Sequence, residues 1–148
     1  MADNPGYTAI EAHLTVRGGN DAIDFYKRAF DAVEDFKQLA DDGERVLHAT
    51  LSLFGGQVML CDEFPEYSVD TESPQSRGGA SVTMHVNLHR PEEVDRAVEK
   101  AAGEGAEITM PVEDTFWGMR YGRLRDPFGH VWSIGAPLPT KEEGRLTD

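Results

Sequence analysis

The sequence predicts an α+β fold of two tandem strand–helix–three-strand modules, their strands forming a cupped mixed sheet with the helices on its outer face. Three observations lead there. Short segments alternate apolar and polar residues with the period of a half-buried strand. Two segments carry apolar residues at helical spacing. The order strand, helix and three strands occurs twice within 148 residues. That length suits one domain made of two modules, about 7–62 and 80–137, with a linker at 63–79 and a frayed tail at 138–148.

The first strand is read over residues 7–16, where Ile10, Ala12, Leu14 and Val16 alternate with Glu11, His13 and Thr15. Asn20 stands as the N-cap of a helix over 21–30, whose Ala22, Ile23, Tyr26, Ala29 and Phe30 keep helical spacing. Strands follow at 33–40, 45–54 and 57–62. The first of these ends at the turn signal DDG, and Gly55-Gly56 offers a tight hairpin that accepts positive φ.

The second module opens with a strand over 81–88, where Val82, Met84, Val86 and Leu88 alternate with Ser81, Thr83, His85 and Asn87. Pro91 starts a helix where a missing N–H is harmless, and Glu92 and Glu93 suit its positive end. Val94, Ala97, Val98, Ala101 and Ala102 form one apolar stripe before Gly103 and Gly105. Three strands are expected near 107–112, 119–125 and 131–134. Asp126-Pro127-Phe128-Gly129 between the last two fits a type I turn, after which Trp132 and Ile134 face the helix and Val131 and Ser133 the cup. The prolines, serines and acids of 62–79 mark an exposed linker.

Twenty-seven carboxylate residues against 14 basic ones give a net charge of -13. Such a surface repels phosphate backbones, so no nucleic-acid partner is expected. No apolar run is long enough to span a membrane, and the N-terminus lacks the basic-then-apolar order of a secretory signal. The single cysteine, Cys61, has no disulfide partner and reads as a buried, inert thiol. A cytoplasmic protein is expected.

A helix covers one face of each module's sheet, so Leu14, Val16, the odd residues 47–53 and the even residues 84–88 are expected beneath it. The other face then carries Glu11, His13, Thr15, His48, Thr50, Ser52, Ser81, Thr83 and His85. Small hydroxyls around imidazoles suit a partly enclosed surface that holds a ligand, whereas an open face would carry long charged chains. Hydrogen-bonded spectator histidines are the plainer alternative.

These segments resemble the vicinal oxygen chelate superfamily, which includes glyoxalase I, bleomycin- and fosfomycin-resistance proteins and extradiol dioxygenases. The pieces that carry the resemblance are LTVRGGNDAIDFYKRAF (14–30) and WGMRYGRLRDPFGHVWSIG (117–135). The second is most similar to the PhnB-like, glyoxalase-like branch. The resemblance implies a homodimer and a cup around a small-molecule ligand. Metal-using relatives take one ligand from each of four strands, and the implied places are Glu11, Asp62, Ser81 and Ser133. Two carboxylates and two hydroxyls make a poor set for zinc or nickel. No cofactor is therefore expected. A divalent metal would need His13, His48 and His85 to converge with Glu11.

Trp117, beside Phe116 and Tyr121, offers either an aromatic wall over the cup or a dimer contact. Arg120 and Arg123 alternate with Tyr121, and one of the two sets faces inward, toward an acidic ligand. His130 after the turn reads as exposed, and His89 as a capping or solvent residue. Three functions follow from this reading: a binding or sequestering protein, an enzyme (a metal-dependent lyase, isomerase or dioxygenase, or a metal-free one using histidine), and a scaffold dimer.

Overall fold

The computed structural model describes residues 9–67 and 70–140 of the chain. Its elements run β1 (Ala12–Val16), α1 (Gly19–Phe30), β2 (Val33–Leu39), β3 (Val46–Leu53) and β4 (Gly56–Asp62). A linking segment with a 3₁₀ turn (Pro65–Tyr67) and a short helix α2 (Pro74–Arg77) follows. The second set is β5 (Thr83–Asn87), α3 (Pro91–Gly103), β6 (Glu107–Asp114), β7 (Met119–Arg125) and β8 (Val131–Pro137). The strands form two four-stranded mixed sheets, β1-β4-β3-β2 and β5-β8-β7-β6. In each, the module's first strand lies parallel to its last and the remaining pairs are antiparallel. The predicted α+β plan of two repeated modules is therefore present.

Helix α1 lies against β2, β3 and β4, helix α3 against β6, β7 and β8, and the two helices pack on each other. Ala22, Ile23, Tyr26, Ala29 and Phe30 are all buried, as their spacing predicts, and Phe25 joins them. The core is continuous across the modules. Phe30 and Tyr26 of α1 meet Trp132 of β8 at ring-centroid distances of 4.8 and 5.7 Å, and Phe25 meets Phe128 of the turn before it at 6.2 Å. Aromatic pairs in such tilted geometries add about 0.5–1.5 kcal/mol each beyond their burial.

Several local expectations are corrected. Ile10 is fully exposed, and the first strand begins only at Ala12; residues 1–8, including the predicted start at Tyr7, lie outside the described residues, as do 141–148 of the tail. Asn20 does not cap α1. The cap position is Gly18, at φ 83°, and Asn20 instead bonds the Glu44 carbonyl and Lys37. Leu47 is 45 % exposed because the β2–β3 ladder skips it: Gln38 pairs with His48 and Leu39 with Val46, so Val46 takes the core place. The β3–β4 turn is Phe54-Gly55, both at positive φ, one residue earlier than the glycine pair suggested. Phe54 tolerates this conformation while packing on Phe30 at 5.4 Å. The linking segment is not wholly exposed either: Phe64, Ser73 and Pro74 are buried.

Candidate functional site

Two acids hold the scaffold behind the site. Asp62, at the end of β4, is buried, and its carboxylate accepts hydrogen bonds from the backbone N–H of Gly18 and Gly19 (2.9 Å each) and of Val46 (2.7 Å). It serves as the cap that α1 lacks in its own sequence, at the positive end of the helix dipole. Asp126 of the DPFG turn is buried as well. It accepts from the Phe128 and His130 backbones, from Trp132 Nε1 at 2.9 Å and from the Tyr26 hydroxyl of α1. Burial, with the Asp126 charge beside it, pushes the Tyr26 phenol well above its ordinary range, so it stays protonated as the donor.

The polar faces are as the alternation predicts, but their histidines fall into separate groups. On the first sheet His13 (β1) and His48 (β3) meet edge to face at 5.9 Å, and Phe36 of β2 lies 5.9 Å from His48. Burial, reinforced by the His48 imidazole, lowers the His13 pKa, which favours its neutral form. His13 and Ser81 also share a pocket of about 690 Å³ between β1, the linking segment and the start of β5, bounded by Thr15, Met84 and His130. His130 is not the free surface residue that the sequence suggested. It is half-buried, and its Nε2 lies 3.0 Å from the Thr15 carbonyl, joining the two modules. Cys61 stands beside Thr15 on this polar face and is half-buried, not buried in the core; burial is the main cause raising its thiol pKa.

On the second sheet the side chains of β5, β7 and β8 form a connected group. Ser133 is buried, and its hydroxyl lies 2.8 Å from His85 Nδ1, while His85 Nε2 lies 3.1 Å from Asn87 Oδ1. Both ring nitrogens of His85 are thus engaged, with the donor and acceptor roles set by the tautomer. The imidazole stacks on Tyr121 at 6.0 Å and 21°, and Tyr121 meets the edge of Trp117 at 5.6 Å. Glycine at 135 makes this possible: a Cβ there would come within 2.7 Å of Met119 Cε and 3.3 Å of His85 Cε1. The structure also separates the two arginines. Arg120 turns to the helix side and grips Asp95 of α3 with Nε and a terminal nitrogen at 2.7 and 2.8 Å, with Asp114 beside it. Arg123 lies on the polar face, donating to the Tyr121 hydroxyl (3.1 Å) and to Thr83 Oγ1 (2.8 Å).

The four places at which relatives bind a metal do not assemble here. Glu11 is exposed ahead of β1, Ser81 is exposed ahead of β5, Ser133 is bonded to His85, and Asp62 is turned to the helix and saturated by backbone donors. The replacement set of Glu11 with three histidines does not converge: among the described residues no three His, Cys, Asp or Glu side chains lie close enough to share a metal ion. The donors present do not fit a metal centre of the four-ligand kind. Sequence reasoning placed Thr83 and Asn87 in the polar set of β5 without naming them as site members, and read Asp126 only as a turn residue. Only the spacing of Asn87 and Thr83, two residues either side of His85, signalled their shared face.

Comparison with known proteins agrees with this scaffold. The uncharacterized protein Mb0911c of Mycobacterium bovis is 41 % identical over 131 residues, covering 88 % of this chain and 84 % of its own. The crystal structure of the Arabidopsis thaliana gene product At5g48480 is 30 % identical with a TM-score of 0.66, covering 86 % of this chain and 98 % of that one. The fosfomycin resistance protein FosX of Listeria monocytogenes, solved with Mn(II) and sulfate, shares the fold alone, at 16 % identity and a TM-score of 0.65 over 95 % of this chain and 98 % of its own. No described helix is long and apolar enough to cross a membrane. Residues 7–134 match the Glyoxalase/Bleomycin resistance protein/Dioxygenase superfamily, and the chain belongs to that family.

Proposed function

We propose that this chain is a small-molecule-binding protein of the glyoxalase/bleomycin-resistance type, whose cup binds or sequesters its ligand without a metal. The observation that carries this is the fate of the inherited ligand places. Asp62 and Ser133 are engaged by other partners, and the remaining two are exposed ahead of their strands. The polar face that remains has short hydroxyls, two histidine groups and an aromatic wall, the composition of a pocket that orients a ligand by a few polar groups. Exposed Val33, Phe36 and Phe116 leave apolar surface for a second copy, in keeping with a homodimer.

The test is elemental mass spectrometry of untagged protein combined with a thermal-shift screen of small organic compounds in metal-free buffer. Stabilisation by at least one compound with negligible bound metal supports the reading, because a ligand that binds only the native state raises its melting point. Roughly one equivalent of zinc, nickel, iron or manganese per chain, with ligand binding lost on its removal, would overturn it. A second reading, an enzyme using histidine as acid–base or holding a metal by other ligands, draws on the His13–His48 contact and the lowered His13 pKa. Turnover abolished by changing His13 and His48 together would favour that reading.

A further inference from the structure

We infer that the polar face of β5, β7 and β8 takes a small carboxylate borne on a flat apolar ring, with Arg123 holding the carboxylate and Tyr121 and Trp117 the ring. This rests on the small-molecule reading above and names the ligand class for one of its faces. The first reason is the company Arg123 keeps. Carboxylates are nearly twice as numerous as basic residues in the sequence, and Arg17, Arg28, Arg45, Arg77, Arg120 and Arg125 each meet one, while Arg90 and Arg96, which form no ion pair among the described residues, are exposed to water. Arg123 is half-buried on a strand face, yet its partners are two neutral hydroxyls. Glu113, opposite Tyr121 in the β6–β7 ladder, forms no ion pair with it. A partly desolvated cation without an acid is unfavourable unless an anion comes from outside.

The second reason is geometric. Tyr121 and Thr83 each accept one N–H, which fixes the guanidinium plane and leaves Nε–H and a further N–H on each terminal nitrogen for a bidentate acceptor. Tyr121 stands two residues along the same strand and shares its face, with its hydroxyl 3.1 Å from the guanidinium, so cation and phenol ring lie side by side. Trp117 is half exposed at the β6–β7 turn and meets Tyr121 at its edge, which leaves ring surface open. Gly135, with no side chain of its own, lets Met119 and His85 close over its backbone, which holds the imidazole against Tyr121. Charge at one end and aromatic walls at the other select for an anionic head on a ring.

The experiment is calorimetric titration of the full-length protein with cinnamate and with cinnamamide, its neutral twin of the same shape, at low salt. The acid is expected to bind at least about tenfold more tightly than the amide, the size of one charge-assisted contact. In Arg123→Met that preference should vanish while the weak amide binding persists, and Arg123→Lys should recover it only in part because a point charge lacks the fork. Circular dichroism and the melting temperature confirm that the variants fold, and the lysine variant carries the test where the methionine variant does not. Equal binding of acid and amide, a preference unchanged in Arg123→Met, or no binding of either would overturn the inference. Should neutral or cationic compounds alone stabilise the protein, the binding function stands and this assignment fails; should binding require a metal, the function itself fails.

Discussion

Replacing Asp62 tests whether α1 is held by a cap borrowed from another strand. In Asp62→Ala three backbone N–H groups lose their acceptor at once, those of Gly19 and Val46 in buried positions and that of Gly18 partly reached by water. A buried donor left unsatisfied costs about 1–3 kcal/mol, and the charge lost from the helix N-terminus adds about 0.3–1. Together the loss is roughly 3–5 kcal/mol, a large part of the 5–15 kcal/mol that holds a domain of this size. Asp62→Asn separates the contributions. Its oxygen can still serve Gly18 and Gly19, whereas its amide group meets the Val46 N–H donor to donor, so the loss should be about 1.5–3 kcal/mol. Urea unfolding followed by far-ultraviolet circular dichroism, with linear extrapolation, measures both. The order wild type, Asn, Ala is the expected result. Equal losses for the two variants, or a loss below about 1 kcal/mol in Asp62→Ala, would refute the cap.

Further expectations concern single contacts. Gly19→Ala should destabilise by about 1–3 kcal/mol in the same urea assay, since the added Cβ would lie 2.5 Å from Asp62 Oδ2 and 2.8 Å from the Val46 side chain. Tyr26→Phe should change alkaline behaviour: the folded pKa lies well above that of the unfolded phenol, so the native state holds the proton longer and wild-type stability falls by about 1.4 kcal/mol per pH unit above roughly 10. The phenylalanine variant should lack that slope, which unfolding midpoints at pH 9 to 11 would show. His13 shifts the other way: its folded pKa is below the unfolded 6.5, so its contribution is intact above that pH and is lost as pH falls through and below it. His13→Gln should accordingly flatten the loss of stability between pH 7.5 and 5.5. Trp117→Ala should leave stability nearly unchanged, the ring being half exposed, while weakening any ligand that stacks there, as fluorescence quenching or calorimetry would report.

The sequence carried the periodic part of this structure and little of the rest. Apolar spacing in 21–30 and 91–102 reports burial directly, because a helix that hides one face must repeat with its own period, whereas in 81–88 the alternation holds only within β5, Val82 ahead of it being 65 % exposed. The shared face of Thr83, His85 and Asn87 on β5 was legible for the same reason. Asp62 was not, because it breaks the alternation rule in a useful way: it sits on the buried side, where a carboxylate belongs only if donors surround it. Those donors, at Gly18, Gly19 and Val46, are backbone groups brought from 16 and more residues away. No local pattern encodes that meeting. Leu47 failed for a related reason, since the skipped residue in the ladder reverses every face assignment before it while leaving those after it correct. His130 looked exposed after a polar turn, but the turn's own acid, Asp126, ties it down to α1 and brings the ring under β1.

What unites the two buried acids also explains the character of the site. Asp62 and Asp126 face the helices and take backbone, phenol and indole donors, so these buried acids act as structural acceptors on the side away from the polar face. On the polar face of the second sheet the fixed groups are a cation, an imidazole with both nitrogens engaged, and hydroxyls. A metal centre needs the reverse arrangement, with anionic or lone-pair donors pointing into the cup. An anion-binding cup needs this one. In a chain whose net charge is -13, the distant field repels an anion, so recognition depends on short-range geometry around Arg123. Selectivity would then come from the guanidinium fork and the Tyr121–Trp117 wall together, and a small inorganic anion, which reaches only the first, would bind weakly.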